Sequence, residues 1–225
     1  MMNSIKNLLA GNTKVKTPEV AQKEIDKLQD QESELQGQLS QAQSEYSKVS
    51  NALEIISASL IIDETDKQAL ATKKKAEAKL DALAKQISEV GEKLAEVSSK
   101  KQNAVQELYR SRGDIARKHN QKARRDMVIA SRFNRAFNIE DVFQLQTHHD
   151  QCIDLGIEYG LGGISSLDPN SEDWKFIVQL GNEDTAEGDF QAEVIARELE
   201  EAIKGVFEKR NIELQEQTLV NLSRI

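Results

Sequence analysis

From Ala21 onward, apolar side chains recur in alternating steps of four and three: Ala21, Ile25, Leu28, Glu32, Leu35, Leu39, Ala42, Tyr46, Val49, Leu53, Ile56 and Leu60. That heptad stripe predicts a long amphipathic helix, and Glu32 is its only charged member. Thr17-Pro18-Glu19 reads as its start, with threonine as cap and proline at the first helical position, where no amide hydrogen bond is lost. The polar run Asp63 to Gln68 interrupts the stripe, and Thr65 with Gln68 has the spacing of a capping box. A second stripe then reads Ala69, Lys73, Ala76, Leu80, Leu83, Ile87, Val90, Leu94, Val97, Lys101, Ala104 and Leu108.

Two stripes of equal length around a short capped break predict an antiparallel hairpin, with each arm about 60 Å long. Folding back opposes Leu60 to Ala69, Tyr46 to Leu83, Leu39 to Val90 and Ile25 to Ala104. The same register brings Glu32 and Lys101 within one layer of each other, a pairing suited to fixing register more than to adding stability. The competing arrangement is one continuous helix that dimerises in parallel, because the break contains neither Gly nor Pro.

Beyond Leu108 the strict heptad decays, while Ala116, Ala123, Met127, Ala130, Phe133 and Phe137 keep a helical spacing on a shifted face. All six phenylalanines lie at or after Phe133, together with Trp174, so the conventional core is expected there. Asn138 is expected to cap a helix through Ile139, Val142, Phe143, Leu145 and Cys152 that ends near Gly156. Gly160 to Gly163 with Asp168-Pro169 reads as a loop, and Trp174 to Leu180 as strand or Ser171-capped helix. A clearer helix is expected over about 190–210, with Phe190, Val194, Leu199, Ala202, Ile203, Val206 and Phe207 on one side, and the tail from Ile212 as helix or strand. The fold expected is mainly α: a long antiparallel coiled-coil hairpin followed by a small helical or α+β C-terminal domain. Its divisions are a tail or short helix at 1–17, the hairpin at 18–137 with its turn near 61–68 and a basic extension at 108–135, and an acidic domain at 138–225.

Composition strengthens this picture. Charged residues make up 30% of the 225 and aromatic residues only 4%, which suits narrow-striped helices more than a wide core. No apolar stretch reaches the roughly 20 residues a bilayer span needs, and Ile5, Leu8, Leu9 and Ala10 are too few for a signal-peptide core, so a cytoplasmic protein is expected. Charge is unevenly spread. Residues 108–135 hold nine basic and two acidic side chains, whereas 136–225 hold six basic and nineteen acidic ones. Arg110, Arg112, Arg117, Lys118, Lys122, Arg124 and Arg125 therefore face two readings: they meet the acidic C-terminal part, or they bind nucleic acid phosphates. The first is preferred, since the complementary charge is encoded next door and no zinc finger or aromatic platform accompanies the patch.

Candidate chemistry is sparse. Cys152 is alone and expected as a small buried thiol. His148 and Cys152 lie four apart, with His149, Asp150 and Asp154 nearby, but two ligands at helical spacing do not make a metal site. The glycine run lacks the Lys-Ser/Thr ending of a phosphate loop, and no nucleophile elbow occurs, so neither enzyme activity nor a metal or cofactor is expected. Ile55, Ile61 and Ile62 fall outside the seam near the apex and are the expected partner-binding surface.

These features point to a structural, scaffold or adaptor protein acting through self-association and contacts with another protein, a layout that suits a viral assembly component. The alternative is a nucleic-acid-binding protein using helix 110–135. A third reading comes from outline alone: a long helical hairpin behind a short N-terminal segment with Ile5, Leu8 and Leu9 is similar in layout to the phage-shock protein A and ESCRT-III family, which implies peripheral membrane remodelling. The anchoring face is small, so membrane contact ranks below the other two.

Overall fold

A computed structural model describes residues 16–225. The expected tail or helix at 1–17, with Ile5, Leu8 and Leu9, lies almost wholly outside the described residues. The chain is mainly helical, with no strand among the described residues. Its elements are α1 (Pro18–Ile62), α2 (Lys67–Ala136), α3 (Leu155–Glu158), a 3-10 turn (Ile164–Ser166), α4 (Glu172–Glu208) and α5 (Glu216–Leu222). Contacts divide the chain into two compact units, one ending at Leu108 and the other running Tyr109–Ile225, and α2 contributes to both.

In the first unit α1 and α2 pack together as a hairpin. Every position of both apolar stripes is buried or half-buried except Tyr46, while the intervening positions face water almost throughout. Lys101 forms an ion pair with Glu32 and also donates to the Gln29 side-chain oxygen at 2.8 Å. Lys79 with Glu45 at 3.6 Å and Lys16 with Glu107 at 3.2 Å link residues distant in sequence with the same antiparallel sense. Three ion pairs thus straddle an apolar seam whose burial supplies most of the association energy.

The helix ends differ in detail from the sequence expectation. Thr17 occupies the N-cap with Pro18 behind it, yet its side chain makes no cap hydrogen bond. Asp66, not Thr65, caps α2: its carboxylate accepts from the amides of Gln68 at 2.8 Å and Ala69 at 3.1 Å. Thr65 instead gives its amide and hydroxyl to Asp63. A carboxylate outcompetes a hydroxyl for the free amides because the helix N-terminus favours negative charge.

The second unit contains the larger corrections. Asn138 ends α2 and starts no helix. Its φ of 52° is left-handed, the Ile139 amide donates to Asn134 O at 2.9 Å, and the Asn138 amide to Arg135 O at 3.2 Å. That is a Schellman termination with asparagine in the place glycine usually takes. Residues 137–154 are therefore non-helical. Their backbone bonds to side chains of α2 instead. Asn134 pairs with both the amide and carbonyl of Phe143, and Asn120 does the same for Ile153 at 2.7 and 2.9 Å. Between them Thr147 donates to buried Asp126. These polar side chains substitute for a strand partner, which accounts for their burial.

Trp174 to Leu180 is helical, and α4 extends 37 residues rather than beginning near 190. Ser171 opens it by accepting from the Trp174 amide at 3.1 Å. Its inward stripe is Ile177, Leu180, Asp184, Gly188, Ala192 and Ala196, continued by Leu199 and Ile203. Phe190, Val194, Ala202 and Val206, expected on the apolar side, are exposed. Small residues define the face because α2 comes close: a Cβ on Gly188 would stand 2.7 Å from Arg124 Cβ and 2.9 Å from Gln121 O. One apolar cluster joins Ala116, Leu155, Tyr159, Ile177 and Leu180, and a second joins Ala136, Ala196, Leu222 and Ile225 around Phe133.

Candidate functional site

Each unit carries one surface of interest. At the apex of the hairpin, Ile55, Ile61 and Ile62 are 72%, 81% and 90% exposed, while Leu53, Ile56 and Leu60 turn into the seam. Ile55 and Ile62 stand seven residues apart, about two helical turns on one strip. Leu70, just inside α2, is also exposed. Had these side chains wrapped the turn they would be covered. Instead the turn is closed by the Asp63 and Asp66 carboxylates, and the isoleucines are left to solvent.

In the second unit the basic stretch of α2 lies against the acidic face of α4. Arg117 Nε donates to Asp184 at 2.9 Å and its terminal nitrogen to Glu183 at 3.1 Å. Arg124 binds Asp189 through two nitrogens at 2.6 and 3.1 Å, and Arg132 reaches Glu193 at 2.5 Å. Arg112 clasps Glu158 of α3, and Arg125 turns back onto its neighbour Asp126. Lys118 is exposed, and Lys122 adds to the positive field on Asp126. Arg110 is half-buried beside these groups in sequence.

Burial decides what each pair does to its members. At Arg117 desolvation alone would lower the pKa, but the Asp184 hydrogen bond and charge outweigh it and hold the guanidinium above its usual range. Asp126 is likewise pushed up by burial, then pulled below the carboxylate range by the Thr147 hydroxyl and Arg125. Asp184 is the most committed of these acids. Its side chain is 3% exposed, Oδ1 accepts from Arg117 and Gln121, and Oδ2 has no hydrogen-bond partner.

Tyr159 packs its ring against Gly113 of α2, where an added Cβ would stand 2.3 Å from Cζ. Burial, and then the charge of Asp114, push its phenol up to about 12. A cleft of about 750 Å³ opens between α2, α3 and α4, lined by Asn120, Arg124, Cys152, Asp154 and Asp184 among others. Most of that polar lining is already used. Asn120 holds Ile153, Arg124 holds Asp189, and Asp154 caps α3 while accepting from the Ile164 amide.

The ligand spacing read from sequence does not survive, because residues 148–152 are not helical and Cys152 is exposed rather than buried. The chain fold brings Asp141 to His148 and His149 instead, with their ligand atoms within 4.8 Å of one another. His148 is raised above the ordinary imidazole range, first by its bond to the Leu145 carbonyl and then, against partial desolvation, by Asp141. His119 lies 3.9 Å from Asp150. Asn120, Asn134, Asp126, Asp184 and Gly188 are the structural residues that sequence reasoning passed over. Their only trace is polar or small residues recurring at helical spacing within otherwise apolar faces.

No family model, curated protein or solved structure matches the chain.

Proposed function

We propose that this is a non-enzymatic coiled-coil structural or adaptor protein that works through self-association and contacts with another protein, using the hairpin apex as a docking surface. The exposure of Ile55, Ile61 and Ile62 carries this reading. Large aliphatic side chains clustered at a turn, unneeded by the seam beside them, are the pattern of a surface covered by a partner. The arginine pairing in the second unit supports assigning the basic stretch to internal charge neutralisation, because Arg112, Arg117, Arg124, Arg125 and Arg132 each already hold a carboxylate. Competition from duplex phosphates would have to break those bonds first.

Replacing Ile55 and Ile62 by Ser tests the reading. Covering one isoleucine contributes about 1.5–3 kcal/mol, so losing two from an interface weakens it by two orders of magnitude or more if the effects add. The double variant is expected to keep its helix content and thermal midpoint while its self-association or partner capture falls. A lower midpoint with association intact would make the isoleucines internal packing of the turn and remove the apex from the account.

A further inference from the structure

The non-helical segment after α2 places two imidazoles and one carboxylate around a common point. Asp141 Oδ1 lies 3.2 Å from His148 Nε2, and Asp141 Oδ2 lies 3.0 Å from His149 Nε2. On its other side, His148 Nδ1 stands 2.6 Å from the Leu145 carbonyl oxygen. Two lone pairs would repel at that separation, so Nδ1 carries the hydrogen and donates it. The Leu145 amide, 3.1 Å from the same nitrogen, then finds no lone pair to bind. In the neutral ring this tautomer leaves the Nε2 lone pair aimed at a carboxylate oxygen, acceptor against acceptor.

The conflict is relieved either by a proton on His148 Nε2 or by a cation shared with the carboxylate. A single divalent ion satisfies all three ligands at once. Tetrahedral coordination with bonds near 2.0–2.1 Å sets ligand atoms about 3.3 Å apart; here the two Asp141 oxygens stand 3.2 and 3.0 Å from the His148 and His149 Nε2 atoms, and one ligand atom from each residue lies within 4.8 Å of the others. The His148 Nδ1–H bond to a backbone carbonyl is the outer contact that orients metal-bound histidines and fixes their tautomer. Gln144 supports the third ligand, its amide nitrogen reaching Asp141 Oδ2 at 3.3 Å and the Asp141 carbonyl at 3.0 Å.

We infer that Asp141, His148 and His149 form a binding site for a divalent transition ion of the zinc class, with water completing the coordination. Two imidazole nitrogens and one carboxylate oxygen suit zinc better than magnesium or calcium, which prefer all-oxygen sites. Side chains 54% and 66% exposed at Asp141 and His149 leave an entry path, while His148 at 7% is held by the fold. Bound there, the ion ties Asp141 to His148 and His149 across the segment that Asn134 and Asp126 anchor to α2.

Zinc chloride titrated into the full chain, in competition with a chromogenic chelator, tests this directly. About one equivalent is expected to bind, and His148→Ala, His149→Ala or Asp141→Asn each to weaken binding by at least about tenfold. Cys152→Ser and His119→Ala are expected to leave it unchanged. Imidazole nitrogen spectra should show His148 and His149 coordinated through Nε2, with His119 unaffected. Because His149 is largely exposed, His149→Ala keeps the fold and remains informative even if His148→Ala does not. No uptake by the wild-type chain, uptake indifferent to His149→Ala, or uptake abolished by Cys152→Ser would each overturn the assignment.

Discussion

Asp184 and Arg132 each belong to an arginine–carboxylate pair between α2 and α4, and burial separates what the two pairs do. Asp184 is nearly fully buried and serves both Arg117 and Gln121, whereas the Arg132–Glu193 pair is 34% and 41% exposed. Removing one partner of a buried pair strands the other charge, so Asp184→Ala is expected to cost about 3–5 kcal/mol in chemical denaturation. Arg132→Ala should cost about 1 kcal/mol or less. Equal losses would mean that Asp184 is not desolvated as described. Tyr159 offers a test by pH. Its phenol titrates near 12 in the folded chain against 10.0 for an unperturbed tyrosine, so the folded state holds the proton more tightly. The associated stability is complete below pH 10 and declines between about 10 and 12, by roughly 3 kcal/mol at most, as the unfolded tyrosine ionises first. Urea melts at pH 9 and 11.5 should show Tyr159→Phe losing less stability than wild type over that interval, and parallel losses would mean an unperturbed phenol.

At the scale of elements, legibility followed the kind of residue that faces inward. The hairpin seam is built from Leu, Ile, Val and Ala in strict heptads, and its position, its polar break and the Glu32–Lys101 pair could all be read from the letters. The α4 face could not, because Asp184 and Gly188 interrupt it and exposed Phe190, Val194 and Val206 mimic a competing stripe. Residues 137–154 resemble a helix in sequence for a related reason: the backbone there is satisfied by Asn134 and Asn120, nine and 33 residues from the amides and carbonyls they bind, which local propensity does not register. Of the candidate sites, the apex isoleucines and the arginines were visible as sequence patterns. Asp141 was not, since only the turn after α2 brings it to the histidines. The hairpin register itself can be checked by placing cysteines at Leu39 and Val90 in a Cys152→Ser background. Oxidation at low concentration is expected to give a crosslink within one chain, and crosslinks solely between chains would indicate parallel dimers of extended helices.

The molecule as a whole comprises a hairpin with an exposed apolar apex and a second unit whose basic and acidic faces pair with each other. Apolar association and phosphate binding respond oppositely to salt: burial of aliphatic surface is maintained or strengthened, whereas phosphate contacts weaken steeply. Light scattering of the purified full chain across concentration, at low and high salt and with absorbance read at the same time, separates them. The expected result is a mass above 25.2 kDa that rises with concentration, persists at high salt and carries no nucleic acid. A mass that stays at one chain under every condition, or one that exceeds it only through bound nucleic acid released by salt, would contradict the proposed self-associating role.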